Sequence, residues 1–455
     1  MSNPSRRGVL RLTAGTALLG SFALAGGGGG GGRGPAPPPA PPPPPRAGGG
    51  GGPPPPPPPP PAKPIDKSPA RGTVDVWAAQ GDADVLDKVV KPFEAANPDL
   101  DVKFTLIPNA EYYTKLQSAI AAGKGPDVAQ FFPESQAQFL DPSILRPVPD
   151  GLVDPSVFFT SLWDAGVVKN VAYTVPWYAY TYALVYRSDL ARKAGVKAPA
   201  TWDDVVPFFK ALQRAGAGHG LGADIGWDIF NGQDVAMYAW QAGGSLLSSG
   251  GKWTLDTPAM IDALKYNASF FTSGVADTSG PTFLDAQPYF VSGRTACMIT
   301  GPWTVGQLDT VAKKDGWTAS HVATAPLPAG PSGSVSFSAG GSWGVLADSG
   351  NADASWKLIR YLSEPSTQVA QYKAYSSLPA VVSAWANPAI ASQPLLDAFL
   401  AQLKKTRAFP QVSSWQQVAT RLGKEMEAVA KGKGTAEEAA ANVQSYAESL
   451  GTGNG

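Results

Sequence analysis

Thr73-Val74-Asp75-Val76-Trp77 alternates apolar and polar residues like a strand, and the residues after it decide the fold. Leu86, Val89, Val90 and Phe93 recur at helical spacing until Asn97-Pro98 stops the run, and 102–106 reads as a second strand. Helical spacing returns over 111–121 with Leu116 and Ile120, breaks at 123–126, and gives way to an apolar strand at 128–132. Strand, helix, strand, helix, strand predicts a parallel α/β sheet. Ligands of such sheets sit beyond the carboxyl ends of the strands, which points to 78–82 and 131–134.

Working outward, the alternation continues, with strands expected at 182–186, 296–299 and 343–346 and helices at 203–214, 258–271 and 352–362. Beyond Leu362 the pattern reads as helix only, and no internal repeat is present. The body, 384 residues after Arg71 in a chain of 455, exceeds the size at which one core stops growing, so two domains are expected.

Before Arg71 the chain is of a different kind. Ser5-Arg6-Arg7-Gly8-Val9-Leu10 is a paired-arginine head, and the apolar run 12–25 behind it is too short to span a bilayer, so 1–25 reads as a signal peptide resembling the twin-arginine type. Ala23-Leu24-Ala25 supplies small residues for cleavage. Leu24-Ala25-Gly26 also looks like a lipoprotein box, but Gly27 stands where the acylated cysteine belongs, so lipidation there is not expected. Residues 26–71 form a Gly/Pro-rich linker, and Pro53 to Pro61 predict a polyproline II rod of about 28 Å.

Lys and Arg total 36 against 36 Asp and Glu, but the zero net charge is a cancellation. The first 71 residues carry eight Lys and Arg against Asp66 alone, leaving an acidic body and no drive toward nucleic acid. Cys297 is the single cysteine, and His219 and His321 are the only histidines, so a disulfide, a Cys/His metal site and His-based catalysis are not expected. Gly340-Gly341-Ser342-Trp343-Gly344 matches a nucleophile elbow, yet no histidine follows Ser342 to complete the triad in the order that fold requires. Gly218-His219-Gly220-Leu221-Gly222 fits a dinucleotide loop only where a strand should precede it, and it follows a helix instead. No catalytic residue, metal or cofactor is therefore assigned.

Thirteen tryptophans remain to be explained, many beside Gly or Pro in short loops: Trp177, Trp240, Trp303 and Trp343. An aromatic face covers the C–H face of a pyranose while polar neighbours satisfy its hydroxyls, so this pairing suits a sugar site. Trp163, Trp202, Trp253, Trp317 and Trp356, in or beside expected helices, read as core.

Phe93-Glu94-Ala95-Ala96-Asn97-Pro98, Tyr113-Thr114-Lys115-Leu116, Gly125-Pro126-Asp127-Val128 and Val175-Pro176-Trp177 are followed by Tyr186-Arg187-Ser188-Asp189-Leu190 and Gly301-Pro302-Trp303. Pro326-Leu327-Pro328-Ala329-Gly330-Pro331 and Leu378-Pro379-Ala380 complete the series. In order and spacing these segments resemble the extracellular solute-binding proteins of bacterial ABC importers, in the carbohydrate-binding family of maltose- and trehalose-type proteins, from about Thr73 to Tyr446.

The resemblance implies an α/β, two-lobe periplasmic-binding-protein fold of type II with hinge crossings and a central ligand cleft. Lobe 1 would be 72–179 plus 328–376 and lobe 2 180–327 plus 377–455, with crossings near 177–180 and 325–328. It further implies capture of a sugar or short oligosaccharide, delivery to an ABC permease, an exported or cell-envelope location and a monomer, with membrane contact only through the permease or an uncleaved signal. By position, Gln80 and Glu134 would contact hydroxyls, Trp177, Tyr180, Trp240 and Trp303 would be cleft aromatics, Gly340, Gly341 and Trp343 would form a wall, and Arg407 would clamp hydroxyls. Tyr180 stands where many relatives carry Asp or Glu, and Asp127 reads as structural. A polyamine or other cationic solute, and a secreted carbohydrate-active hydrolase needing two carboxylates across the bond, are the alternatives.

Overall fold

The computed structural model describes residues 64–79, 85–133, 135–222, 229–277, 279–280 and 286–453. The signal peptide, nearly all of the linker, Gln80 and Glu134 lie outside the described residues.

The deciding stretch folds as read. Strand β1 (Gly72–Ala79) runs parallel to β2 (Leu100–Ile107) in unbroken register from Gly72↔Leu100 to Ala79↔Ile107, and parallel to β3 (Val128–Phe131) through Val76↔Val128. Between β1 and β2, the helix Leu86–Ala96 buries Leu86, Val89 and Val90. Asn97 closes its end, donating from Nδ2 to the Phe93 carbonyl at 2.7 Å and accepting from the Ala70 amide at 2.7 Å.

Ten further strands follow: β4 (Val167–Val168), β5 (Val171–Ala172), β6 (Val175–Tyr180), β7 (Ala183–Arg187), β8 (Cys297–Thr300), β9 (Val322–Ala325), β10 (Ser336–Phe337), β11 (Ala339–Val345), β12 (Leu378–Pro379) and β13 (Thr406–Arg407). A six-stranded sheet has the order β12-β6-β11-β3-β1-β2, and a three-stranded sheet the order β8-β7-β9. Two expectations are corrected here. The later strands do not extend the parallel pattern: β11 is antiparallel to both β3 and β6, and β7 is antiparallel to β8 and β9. The large sheet takes β11 from chain that returns to it after building the small sheet, and this return runs against β3. Nor is the chain after Leu362 helix only, because β12 and β13 each contribute a two-residue pairing too short to carry a period.

Apolar side chains gather in two large clusters. One, centred on the large sheet, includes Val74, Val76, Trp177, Trp343 and Trp356; the other includes Phe209, Val235, Phe270, Trp415 and Leu422. Trp253, Trp317 and Trp356 are buried core residues, and Trp163 and Trp202 are half-buried against the same clusters. Asp127 joins three segments, accepting from the Asp75 amide at 3.0 Å and the Ser349 hydroxyl at 2.6 Å, with Asn351 Nδ2 at 3.3 Å. Burial raises the Asp75 carboxyl beside it, and the Asp127 charge adds to the rise.

Candidate functional site

The site is built where the sheets exchange chain. Strand β6 ends at Tyr180 and β7 begins at Ala183; β10 ends at Phe337 and β11 begins at Ala339. These two passages lie side by side, with Ala339 paired to Tyr180 and the buried Thr181 hydroxyl donating to the Phe337 carbonyl at 2.7 Å. Residues 326–335 belong with the small-sheet side: Ala329 and Trp202 exchange backbone bonds with Ala200 and Ala329, and the Leu327 amide donates to Gln402 Oε1 at 3.0 Å.

Tyr180 and Trp303 meet at this junction. Their rings are edge-on with centroids 5.2 Å apart, and both are partly exposed. Tyr182 stands against Trp303 at 6.3 Å and against Phe337 at 4.6 Å, which ties the pair to both passages. Trp303 opens the helix Trp303–Ala312 directly after Gly301-Pro302, and its ring folds back over Gly301. A Cβ at 301 would fall 1.9 Å from that ring, so glycine is what lets the indole lie there. The result is a wall of two edge-on aromatic rings, both partly exposed, where the two passages meet.

The other expected aromatics are placed elsewhere. Trp177 and Trp343 are each 1% exposed, packed on one another at 4.5 Å, and the Trp177 indole N–H donates to Gln371 on the helix Pro365–Tyr375. They are core side chains of the large sheet and offer no face to a ligand, which corrects the expectation for both. Trp240, 3% exposed, packs on Phe409 at 5.4 Å inside the second cluster. Arg407 is exposed, and its guanidinium donates to the Gly244 carbonyl at 3.2 Å, bracing the turn after the helix Ile229–Gln241. Gly340 and Gly341 do sit beside Tyr180, but packing already requires them. A Cβ on Gly340, at φ +153°, would be 1.9 Å from the Tyr178 carbonyl, and one on Gly341 would be 2.4 Å from the Tyr178 ring.

Ser342 is 2% exposed within β11 and paired on both sides, so no nucleophile elbow exists. His321 stacks on Trp317 at 4.7 Å, and His219 Nε2 lies 3.6 Å from Asp277. Among the described residues no cluster of His, Cys, Asp and Glu could hold a metal, and no helix is long and apolar enough to cross a membrane.

The family model for bacterial extracellular solute-binding proteins matches residues 77–369. The chain belongs to this family. As a solute-binding protein it works by capture rather than catalysis, and its family places it outside the cytoplasm. A Brucella abortus binding protein is 27% identical over 390 residues, covering 82% of this chain and 91% of that one. The maltotriose-binding protein of Pyrococcus abyssi is 24% identical over 351 residues, covering 72% of this chain and 71% of its own. Among solved structures, the sugar-binding protein MalE of Xanthomonas citri superposes with a TM-score of 0.77 at 28% identity, covering 83% of this chain and 97% of that one. The GacH receptor of Streptomyces glaucescens, solved without ligand and with acarbose, gives 0.72 at 26%, covering 84% and 98%. The solute-binding protein thus has the two-lobe type II fold.

Residues that the sequence did not mark complete the junction. Thr181, Tyr182 and Phe337 are buried there, and a period-two reading does not mark residues at the ends of strands. Across from β3, Gln411 Nε2 donates to the Pro133 carbonyl at 3.0 Å and Gln416 Nε2 to the Ser135 hydroxyl.

Proposed function

We propose that this solute-binding protein captures a short oligosaccharide between its lobes and presents the closed complex to an ABC permease. The observation that carries the reading is the Tyr180–Trp303 wall, partly exposed at the meeting of the two sheets. The names of its relatives narrow the ligand: they include a maltotriose-binding protein, a galactooligosaccharide-binding protein and MalE, and the GacH receptor was solved with acarbose. An α-linked gluco-oligosaccharide of two or three units is the ligand proposed here. Gln80 and Glu134, following β1 and β3, are proposed as hydroxyl partners, and the Gly340-Gly341 backbone as the floor beside Tyr180.

The lobe limits are proposed as 72–180 with 339–390, and 182–337 with 397–453. This extends the first lobe past 376, since Leu378 and Pro379 pair with β6 and Trp385 packs on Phe159 at 6.2 Å. Export by the 1–25 signal and a monomeric state complete the proposal. Calorimetric titration of the whole chain with maltotriose tests it: a saturable complex weakened at least tenfold in Trp303→Ala is expected, and equal affinity in the variant would remove the wall from the site.

A further inference from the structure

Outside the passages of chain between the sheets, hydrogen bonds that cross between the lobes among the described residues include Ser161 with Thr406 at 2.7 Å and those of two glutamines, and each side of the glutamine contact is braced by its own lobe. On the first lobe, the segment after β3 is pinned by the Phe132 amide donating to Tyr113 Oη at 2.8 Å and by buried Gln136 donating from Nε2 to the Ala165 carbonyl at 2.7 Å. On the second, Phe409 and Trp415 stack at 5.1 Å, and Trp415 is 1% exposed at the start of the helix Trp415–Ala430. That helix lies in backbone contact with the helix Ile229–Gln241, because a Cβ on Gly232 would be 1.9 Å from the Ala419 carbonyl. Gln411 and Gln416 project from this platform, and their amides bond to Pro133 and Ser135, some 280 residues away in sequence.

We infer that Gln411 and Gln416 are positioning residues for capture: they set how far the empty protein is closed, and through that its affinity. The physical reason is linkage. A ligand that binds the closed form is weakened by the fraction of empty protein that is not closed, so a bond favouring closure without ligand tightens binding without touching the sugar. Both partners are neutral, an amide with a carbonyl on one side and an amide with a hydroxyl on the other, so salt should not screen the latch as it would an ion pair. The affinity half of this inference rests on the oligosaccharide reading; the closure half does not.

The test is a distance measurement on the whole chain without ligand, with spin labels at Lys124→Cys and Lys433→Cys, exposed positions on opposite lobes. Cys297 is fully buried, so labelling falls on the introduced thiols. With both glutamines present, the distance distribution should be short and narrow and unchanged between low and high salt. In Gln411→Ala/Gln416→Ala it should lengthen and broaden, and maltotriose affinity should fall about fivefold. Gln416→Glu should keep the short distance, since the Ser135 hydroxyl can donate to the carboxylate. If the double variant does not fold, Gln416→Ala alone, at an exposed position, carries the test. Superimposable distributions in wild type and variant, or a distance that opens with salt, would overturn the inference. Absence of maltotriose binding in both proteins would strike the ligand proposal and leave the distance result to decide the latch.

Discussion

Gly301→Ala probes the aromatic wall without altering any residue of it. The added methyl carbon would lie 1.9, 2.2 and 2.4 Å from three carbons on the outer edge of the Trp303 indole. Ordinary contact is about 3.5–4.0 Å, so the edge must retreat by about 1.5 Å. The obstructing atoms belong to the free end of a half-buried side chain, so the ring moves and the backbone stays. The stability cost then falls near the bottom of the range for overpacking, about 1 kcal/mol. What is lost is the edge-on setting of Trp303 against Tyr180 at 5.2 Å, worth about 1 kcal/mol by itself, together with the orientation in which the Trp303 ring is proposed to meet the sugar. Maltotriose affinity should drop about tenfold, or about 1.4 kcal/mol. Calorimetry gives the affinity, and a thermal scan on the same samples reports the fold. An affinity within twofold of wild type would refute the argument that Trp303 is held by glycine 301 in a binding orientation.

The remaining predictions separate core from site. Trp177→Ala should cost about 3–5 kcal/mol of stability, read as a lowered thermal midpoint, while the folded fraction keeps wild-type maltotriose affinity. Gly340→Ala places a methyl against the Tyr178 carbonyl at a φ that side chains rarely adopt, so it should lower the midpoint more than Gly301→Ala does. Arg407→Ala should leave affinity within twofold, because its guanidinium bonds the Gly244 turn. Hydrogen bonds from Ser68 and then Lys357 hold the Asp66 carboxyl below the usual carboxylate range. A lowered carboxyl adds stability that is present above about pH 4 and lost as pH falls through the folded value. The midpoint should therefore fall less between pH 4 and pH 2 in Asp66→Asn than in wild type.

The first lobe was legible because its elements are long and obey one period each: β1 alternates, the helix Leu86–Ala96 repeats at 3.6, and a parallel crossover needs no distant partner to be recognised. Strands β12 and β13 were not legible, since two residues carry no period and each exists only through pairing with β6 or β10. For the aromatics, position beside Gly or Pro was a poor guide to exposure. Gly340 and Gly341 make room for Tyr178 in the sheet, while Gly301 makes room for Trp303 at the junction, and Gly341 and Gly301 alike stand two residues before a tryptophan. Alternation cannot separate the faces of β6 either, because five of its six residues are buried, on both faces alike. Gln411 and Gln416 were invisible for a simpler reason: their partners are set by how two lobes meet.

Capture of a short oligosaccharide is the central claim, and a thermal-shift titration of the whole chain tests it most directly. The panel should hold maltose, maltotriose, galactose, a galactooligosaccharide and spermidine. A ligand at 100 times its dissociation constant adds about 2.7 kcal/mol of stability, a shift easily resolved. A saturable rise with maltose or maltotriose and none with spermidine is the expected result; a flat response to every sugar with a rise for spermidine would contradict the oligosaccharide claim.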